Sequence, residues 1–296
     1  MTEKATLKST FKALIYMAPM LTIIMTFNIY PIFRSFMMSF YTDYNFFQNT
    51  VNSYGLDNFI TIFNDAQFWL AIRNTFIFVL GVVPTSIVLS LGIALMLNKI
   101  KFLSSFFRSI FFLPFVTSTV AISIVWSWIY HGRFGLMNYF LGQFGIDPVA
   151  FITDPDYAML ALVIMSVWRG LGFNIILFLV GLNNIDENYY SAAKIDGARE
   201  MGRFFNITVP LLGPTTFLVS VMGVINSFKV FDEVYALFQS RPGPARSALT
   251  VVYYIFQKFY EENQFGIAAA AGIVLFLIIL VFTLIQMAFN KRFVHY

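Results

Sequence analysis

The chain has 296 residues, of which 58% are hydrophobic and 11% charged, less than half the share of about 25% that a soluble domain carries. That composition excludes a water-solvated globule and points to helices in lipid that satisfy their own backbone hydrogen bonds. A net charge of +4 on so apolar a chain carries no nucleic-acid signal, and the absence of cysteine excludes disulfides and thiolate metal ligands.

A hydrocarbon core of about 30 Å takes roughly 20 apolar residues per helix. The first stretch to meet this is 13–40, behind Lys4, Lys8 and Lys12. It is too long for a signal peptide and no small-residue cleavage site closes it, so it reads as an uncleaved first span. A polar external loop, 41–70, follows with Asn45, Asn49, Asn52 and Asn58. The second span covers 71–97 and the third 109–130. The loop over 131–156 holds Gly132, Gly135, Gly142, Gly145 and two Asp-Pro steps, all turn signals. The fourth span is 157–182 and the fifth 211–238. Arg241-Pro242-Gly243-Pro244 then makes a stiff turn that no helix continues through, and the sixth span is 266–289. Trp69, Trp126 and Trp128 fit an interfacial aromatic belt.

No segment alternates like a strand of an outer-membrane barrel. The expected class is all-α, with six transmembrane helices. A membrane domain, 71–290, is preceded by an N-terminal part, 1–70, and followed by a short tail, 291–296. Bases concentrate in alternate loops: Lys4, Lys8 and Lys12, then Lys99, Lys101 and Arg108, then Lys194, Arg199 and Arg203, then Lys291 and Arg292. Both termini and the segment 183–210 therefore face the cytoplasm.

That segment, between spans four and five, is charged and alanine-rich where both neighbours are apolar, which suits a docking surface. Asp186 is placed to cap a helix start. Helix formers run from Tyr189 to Ala193, and Ala192 and Ala193 present so little side chain that another surface can come close. Gly197 interrupts the helix, at a cost of about 1 kcal/mol relative to alanine, and permits a sharp bend. A second short helix, 199–205, is stopped by Pro210. Two short helices at an angle make a knuckle that fits a cleft. The alternative is one amphipathic helix lying on the lipid surface.

Ser191-Ala192-Ala193, then Asp196-Gly197-Ala198, then Ile207-Thr208-Val209-Pro210, resembles the coupling loop of permeases in ATP-driven importers. Further stretches fit the same pattern: Gly55-Leu56-Asp57-Asn58-Phe59 and Asn74-Thr75 before and in span two, and 108–114 at the start of span three. Trp126-Ser127-Trp128 and Phe134-Gly135-Leu136-Met137-Asn138 lie at its external end, with Gly170-Leu171-Gly172-Phe173 in span four and Phe231-Asp232-Glu233-Val234-Tyr235 in span five. From about residue 14 to its end the chain is similar to the binding-protein-dependent ABC importer permeases of the sugar-transport branch, which includes the maltose and glycerol-3-phosphate systems. Its last residues, 292–296, resemble those of the first member of the usual permease pair.

The resemblance implies a type I importer (MetI-like) permease fold in the bacterial cytoplasmic membrane, bathed by lipid. It implies that Ser191, Ala192, Ala193, Asp196, Gly197, Ala198, Ile207 and Pro210 couple to an ATP-binding-cassette ATPase dimer. It also implies a heterodimer with a second homologous permease and an extracellular solute-binding protein, with no nucleic-acid partner. ATP and Mg would be used by the ATPase, with no cofactor bound and no catalysis performed by this chain. The cargo would be a carbohydrate, an oligosaccharide first of all, moved by alternating access. Two positions depart from the family pattern. Ser191 stands where a glutamate opens the coupling motif, and Ser240-Arg241-Pro242 replaces a Gly-Gly-Pro turn.

The chemistry-bearing residues agree with a non-enzymatic role. The stretch 197–204 lacks the Lys-Ser/Thr ending of a phosphate loop, and His131 and His295 fall on opposite sides of the membrane. Intramembrane polar groups are costly and mark candidate sites. Asn226 and Ser227 fall about halfway along span five, where the resemblance places the solute cavity of the maltose permease. Phe228 beside them offers an aromatic face for a sugar, and Asn174 in span four joins them. Interhelical hydrogen bonding is the other use for such residues. Lys229 is expected to reach Asp232 or Glu233 at i+3 or i+4 on its own helix, and Arg169 either anchors the interface or partners an anionic group. Gly181 and Gly223 serve helix adjustment or packing. A phosphate cargo would need inward-facing bases, and the spans offer Arg34, Arg169 and Lys229, with Arg73 at the start of span two. An ion-coupled secondary transporter would show inverted repeats and midplane carboxylates, and the sequence has neither.

Overall fold

The computed structural model describes residues 7–45, 48, 50–100 and 104–293. The readings made for Lys4, Asn49, Lys101 and 294–296, His295 among them, lie outside the described residues. In chain order, α1 (Leu7–Ile24) passes through a π turn (Met25–Ile29) into α2 (Tyr30–Met38), and a hairpin of β1 (Tyr41–Asn45) and β2 (Thr50–Tyr54) follows. Next come α3 (Asp57–Asn64), α4 (Ala66–Lys99), α5 (Ser104–Val116), α6 (Thr119–Ile129), α7 (Leu136–Gln143) and α8 (Pro155–Asn183). The cytoplasmic segment forms α9 (Glu187–Ile195), α10 (Glu200–Arg203), a π turn (Phe204–Thr208) and α11 (Val209–Leu211). The chain ends with α12 (Gly213–Phe228), α13 (Asp232–Leu237), α14 (Val251–Phe256), a π turn (Gln257–Glu261) and α15 (Phe265–Phe293).

The helical class holds, and the antiparallel hairpin adds a small sheet within the first external loop. Four helical stretches are long and apolar enough to cross a membrane unaided: Thr10–Met38, Ala66–Lys99, Pro155–Asn183 and Phe265–Asn290. Two more spans are bent pairs, which brings the total to six. The third turns by 100° between α5 and α6, where Ser118 takes an extended conformation (φ −53°, ψ 131°). The fifth turns by 62° at Leu212, because Pro214 in the first turn of α12 has no N–H with which to continue the preceding helix.

Two prolines sit in helices that run on past them. Before Pro31, Tyr30 N–H bonds Met25 O, five residues back. Before Pro210, Val209 N–H bonds Phe204 O in the same way. In each case the widened turn accommodates the missing proline donor and the helix runs on. Pro210 therefore sits inside the second helix of the knuckle, which extends to Leu211, and the expectation that it ends that helix is corrected.

The chain folds as two compact units. One comprises Met1–Asp65 with Ile255–Val274, the other Ala66–Tyr254 with Leu275–Tyr296. In the first, Asn58 pins the hairpin: its Nδ2 donates to Ser39 O and to Tyr41 O, both at 2.9 Å. Gly266 passes so close that a Cβ there would lie 2.6 Å from Asn58 Nδ2 and 2.7 Å from Tyr41 O. Lys258 pairs with Glu262 at 2.8 Å and approaches Asp65 at 3.8 Å.

In the second unit α4 and α8 form the centre, burying Phe78, Ala94, Ala161, Leu162, Met165 and Phe178. Backbones meet where α8 crosses α5. A Cβ on Gly172 would lie 2.0 Å from Phe111 O. A Cβ on Gly181 would lie 2.5 Å from Thr215 Oγ1 and 2.9 Å from Leu212 Cδ2, so this glycine serves packing against α12.

Two further asparagines fasten loops in this unit. Asn138 Nδ2 donates to Gly132 O and Val149 O, and its Oδ1 accepts from Val149 N, which closes the loop after α6. Asn74 Nδ2 donates to Leu249 O at 3.1 Å and Arg246 O at 3.2 Å, while Thr75 Oγ1 accepts from Val251 N at 3.0 Å. The turn held there has four non-glycine residues in the left-handed region: Gln239, Ser240, Ala245 and Arg246. Such residues cost about 1–2 kcal/mol each and need external support. Asn74→Ala should therefore lower the stability of the solubilised protein by about 1–3 kcal/mol, the cost of buried carbonyls left without a donor. A thermal-unfolding midpoint equal to wild type would show that the turn supports itself.

Candidate functional site: a cytoplasmic knuckle and a cavity between the spans

The knuckle is built by ordinary capping chemistry. Asp186 Oδ1 accepts from Asn188 N at 2.9 Å and starts α9. At its other end Gly197 N donates to Lys194 O at 3.1 Å and Ala198 N to Ala193 O at 2.9 Å. This pair of bonds is the Schellman closure, which requires a left-handed residue after the cap. Gly197 supplies it at φ +77°, and Asp196 is the cap itself. The segment is thus two helices meeting at one glycine rather than a continuous surface helix.

Ser191, Ala192, Asp196, Gly197, Ala198 and Pro210 are exposed, while Ala193 and Ile207 are half-buried. Sequence reasoning passed over the apolar tip: Ile195 is 87% exposed, Met201 69% and Phe205 59%. The available signal was large apolar residues interspersed among the charges of this loop. It also missed the tie between the two helices, Tyr190 Oη to Thr208 Oγ1 at 2.9 Å. Tyr190→Phe should loosen that tie by ~1 kcal/mol, read as about fivefold faster hydrogen exchange of the α9 amides. Unchanged exchange would mean that packing alone holds the knuckle.

Between α4, the α5–α6 bend, α8, α12 and α13 lies a cavity of about 510 Å³. Asn174, Asn226 and Ser227 all line it. Among the described residues, neither Asn174 nor Asn226 has a side-chain hydrogen bond that would tie it to another helix. Phe228 does not belong to the cavity. It is 1% exposed and packs edge-on against Phe76 and at a tilt against Phe282, each with centroids 5.4 Å apart. The aromatic wall comes instead from Phe115 and Phe173, stacked at 4.9 Å with 18° between their planes.

The charged residues are arranged differently from the expectation. Lys229 caps α12 and the chain breaks before α13, so Lys229 and Glu233 do not share a helix. Glu233 Oε1 accepts instead from Arg169 Nη1 on α8 at 2.9 Å, which puts a carboxylate beside the middle of α8 and corrects the expectation of none at that depth. The break is supported by Thr250, whose buried Oγ1 donates to Val230 O at 3.0 Å, as a gap in a membrane helix requires. Lys229 and Asp232 also line the cavity and are exposed. Trp126 is buried against Tyr130 and Trp168 instead of standing in an interfacial belt, whereas Trp69 and Trp128 are exposed.

Apolar helices long enough to cross a membrane, with a polar cavity lined by α4, α8 and α12, define the class of membrane transport subunits. The chain belongs to the family of binding-protein-dependent transport system inner membrane components, whose model matches residues 86–295. It is 37% identical to the lactose transport system permease of Rhizobium radiobacter over 92% of this chain and 91% of that one. It is 34% identical to the arabinooligosaccharides transport system permease of Bacillus subtilis, over 94% of this chain and 88% of the relative. It is 30% identical to the trehalose/maltose transport system permease of Thermococcus litoralis, over 92% and 91%. Among solved structures it resembles a chain of a bacterial ABC transporter involved in import of the acidic polysaccharide alginate, with TM-score 0.81, 25% identity and 96% of each chain covered. That transporter has also been solved in complex with its alginate pentasaccharide-bound periplasmic protein.

Proposed function

We propose that this chain is one permease half of an ATP-driven importer that carries a neutral carbohydrate inward by alternating access. A second homologous permease completes the membrane channel. An ATP-binding-cassette ATPase dimer, grasping the knuckle around Gly197, uses ATP and Mg. An extracellular solute-binding protein delivers the cargo. No cofactor is bound and no reaction is catalysed by this chain. The relatives named for lactose, arabinooligosaccharides and trehalose/maltose support the cargo class, and the alginate importer solved with its periplasmic protein supports the delivering partner.

The observation that carries this reading is the cavity: amides of Asn174 and Asn226, the Ser227 hydroxyl and the stacked Phe115–Phe173 wall. Amides and hydroxyls exchange hydrogen bonds with a polyol, and an aromatic face accepts its C–H surface. Both ATP and the loaded binding protein must prefer the outward state, since a ligand moves an equilibrium only through differential affinity. Glycerol-3-phosphate fits less well, because Arg169 is engaged by Glu233 and Lys229 shares the cavity with Asp232. Asn226→Ala should weaken solute affinity about fivefold to tenfold, the worth of one or two hydrogen bonds, with membrane insertion unchanged. Uptake equal to wild type across a panel of mono- and oligosaccharides would remove the cavity as the carbohydrate site.

A further inference from the structure

Arg169 stands midway along α8, about 21 Å from either end at 1.5 Å per residue. A guanidinium at that depth cannot shed its charge and needs a counter-charge. Glu233, on the far side of the break after α12, provides it through a single bond from Nη1. The Nε of Arg169 is buried without a partner, so the guanidinium keeps donating capacity beyond that bond. Both residues open on the cavity, together with Lys229 and Asp232. Two cations face two anions, and an anionic solute finds no net attraction.

We infer that Glu233 is a specificity-determining residue: by neutralising Arg169 it excludes acidic sugars from a cavity that would otherwise favour them. Without the Glu233 carboxylate, the cavity gains a net positive charge on a planar fork suited to a carboxylate. Without Arg169, it gains a net negative charge suited to an amino sugar. This rests on the carbohydrate-import reading above.

The test is equilibrium dialysis with the purified complex of this chain and its partner subunits, without the solute-binding protein, which screens cargo upstream. The probes are lactose, maltose and arabinobiose as neutral sugars, digalacturonate as an acid and the glucosamine disaccharide as a cation. Glu233→Gln should bind digalacturonate at least about tenfold more tightly than wild type, equivalent to ~1.4 kcal/mol. Arg169→Gln should shift the same way for the glucosamine disaccharide, and Arg169→Gln/Glu233→Gln should shift for neither. A merely structural tie would weaken all probes together and leave their order unchanged. An unchanged order in either single variant that assembles overturns the inference. If neither single variant assembles, the neutral double variant must still reject digalacturonate as wild type does, and its acceptance of the acid also overturns it. Failure of wild type to bind every neutral probe would instead refute the carbohydrate reading itself.

Discussion

Gly172→Ala should abolish assembly of the folded permease, whereas Gly92→Ala should be harmless. At Gly172 the added methyl would meet Phe111 O at 2.0 Å, Phe111 C at 2.6 Å and Phe112 Cα at 2.8 Å. These are backbone atoms of α5, which no rotamer change can move aside, so α5 and α8 must separate. Overpacking a core costs about 1–3 kcal/mol where side chains can yield, and here the loss should lie at the top of that range or beyond. At Gly92 nothing lies within 4 Å of the same methyl. Helical alanine there should add up to about 1 kcal/mol of stability. Yield of monodisperse protein in detergent and its unfolding midpoint separate the two. Equal behaviour would mean that the α5–α8 crossing is loose.

The second large effect is expected at Gly197. Its φ of +77° closes the Schellman turn, yet a Cβ there would meet nothing within 4 Å. Any loss on substitution must therefore come from the backbone and not from crowding. Gly197→Val, branched at Cβ, should cost about 1–2 kcal/mol in the turn and swing α9 away from α10. Uptake should fall more than about tenfold while membrane insertion stays normal. Gly197→Asn tolerates the left-handed region and should retain most of the uptake. If Val and Asn behave alike, the proposed coupling to an ATPase does not depend on the bend.

The apolar runs were legible because a span needs only length and hydropathy. The breaks were not. Val230 O at the break after α12 is satisfied by Thr250, 20 residues later, and no local pattern announces that bond. Nor does a proline say whether its helix will widen to accept it: Pro31 and Pro210 each follow a π turn, while Pro214 marks a bend. The misplacement of Phe228 was avoidable. At about 100° per residue, Phe228 lies about 200° around the helix from Asn226, so both cannot face one cavity, whereas Lys229 comes back to the same side. Gly197 was readable because a left-handed turn admits few other residues. The partner of Glu233 was not, since Arg169 lies 64 residues away on another helix and only packing brings them together.

The asparagines that clamp the loops carry a consequence for how those loops are made. A chain without cysteine has no sulfur staples, and the carboxamides of Asn58, Asn74 and Asn138 take their place by gripping main-chain carbonyls. Their hold does not depend on oxidation, so each of these loops needs no oxidising compartment or disulfide isomerase to close. It also breaks and re-forms without any change of covalent bonds.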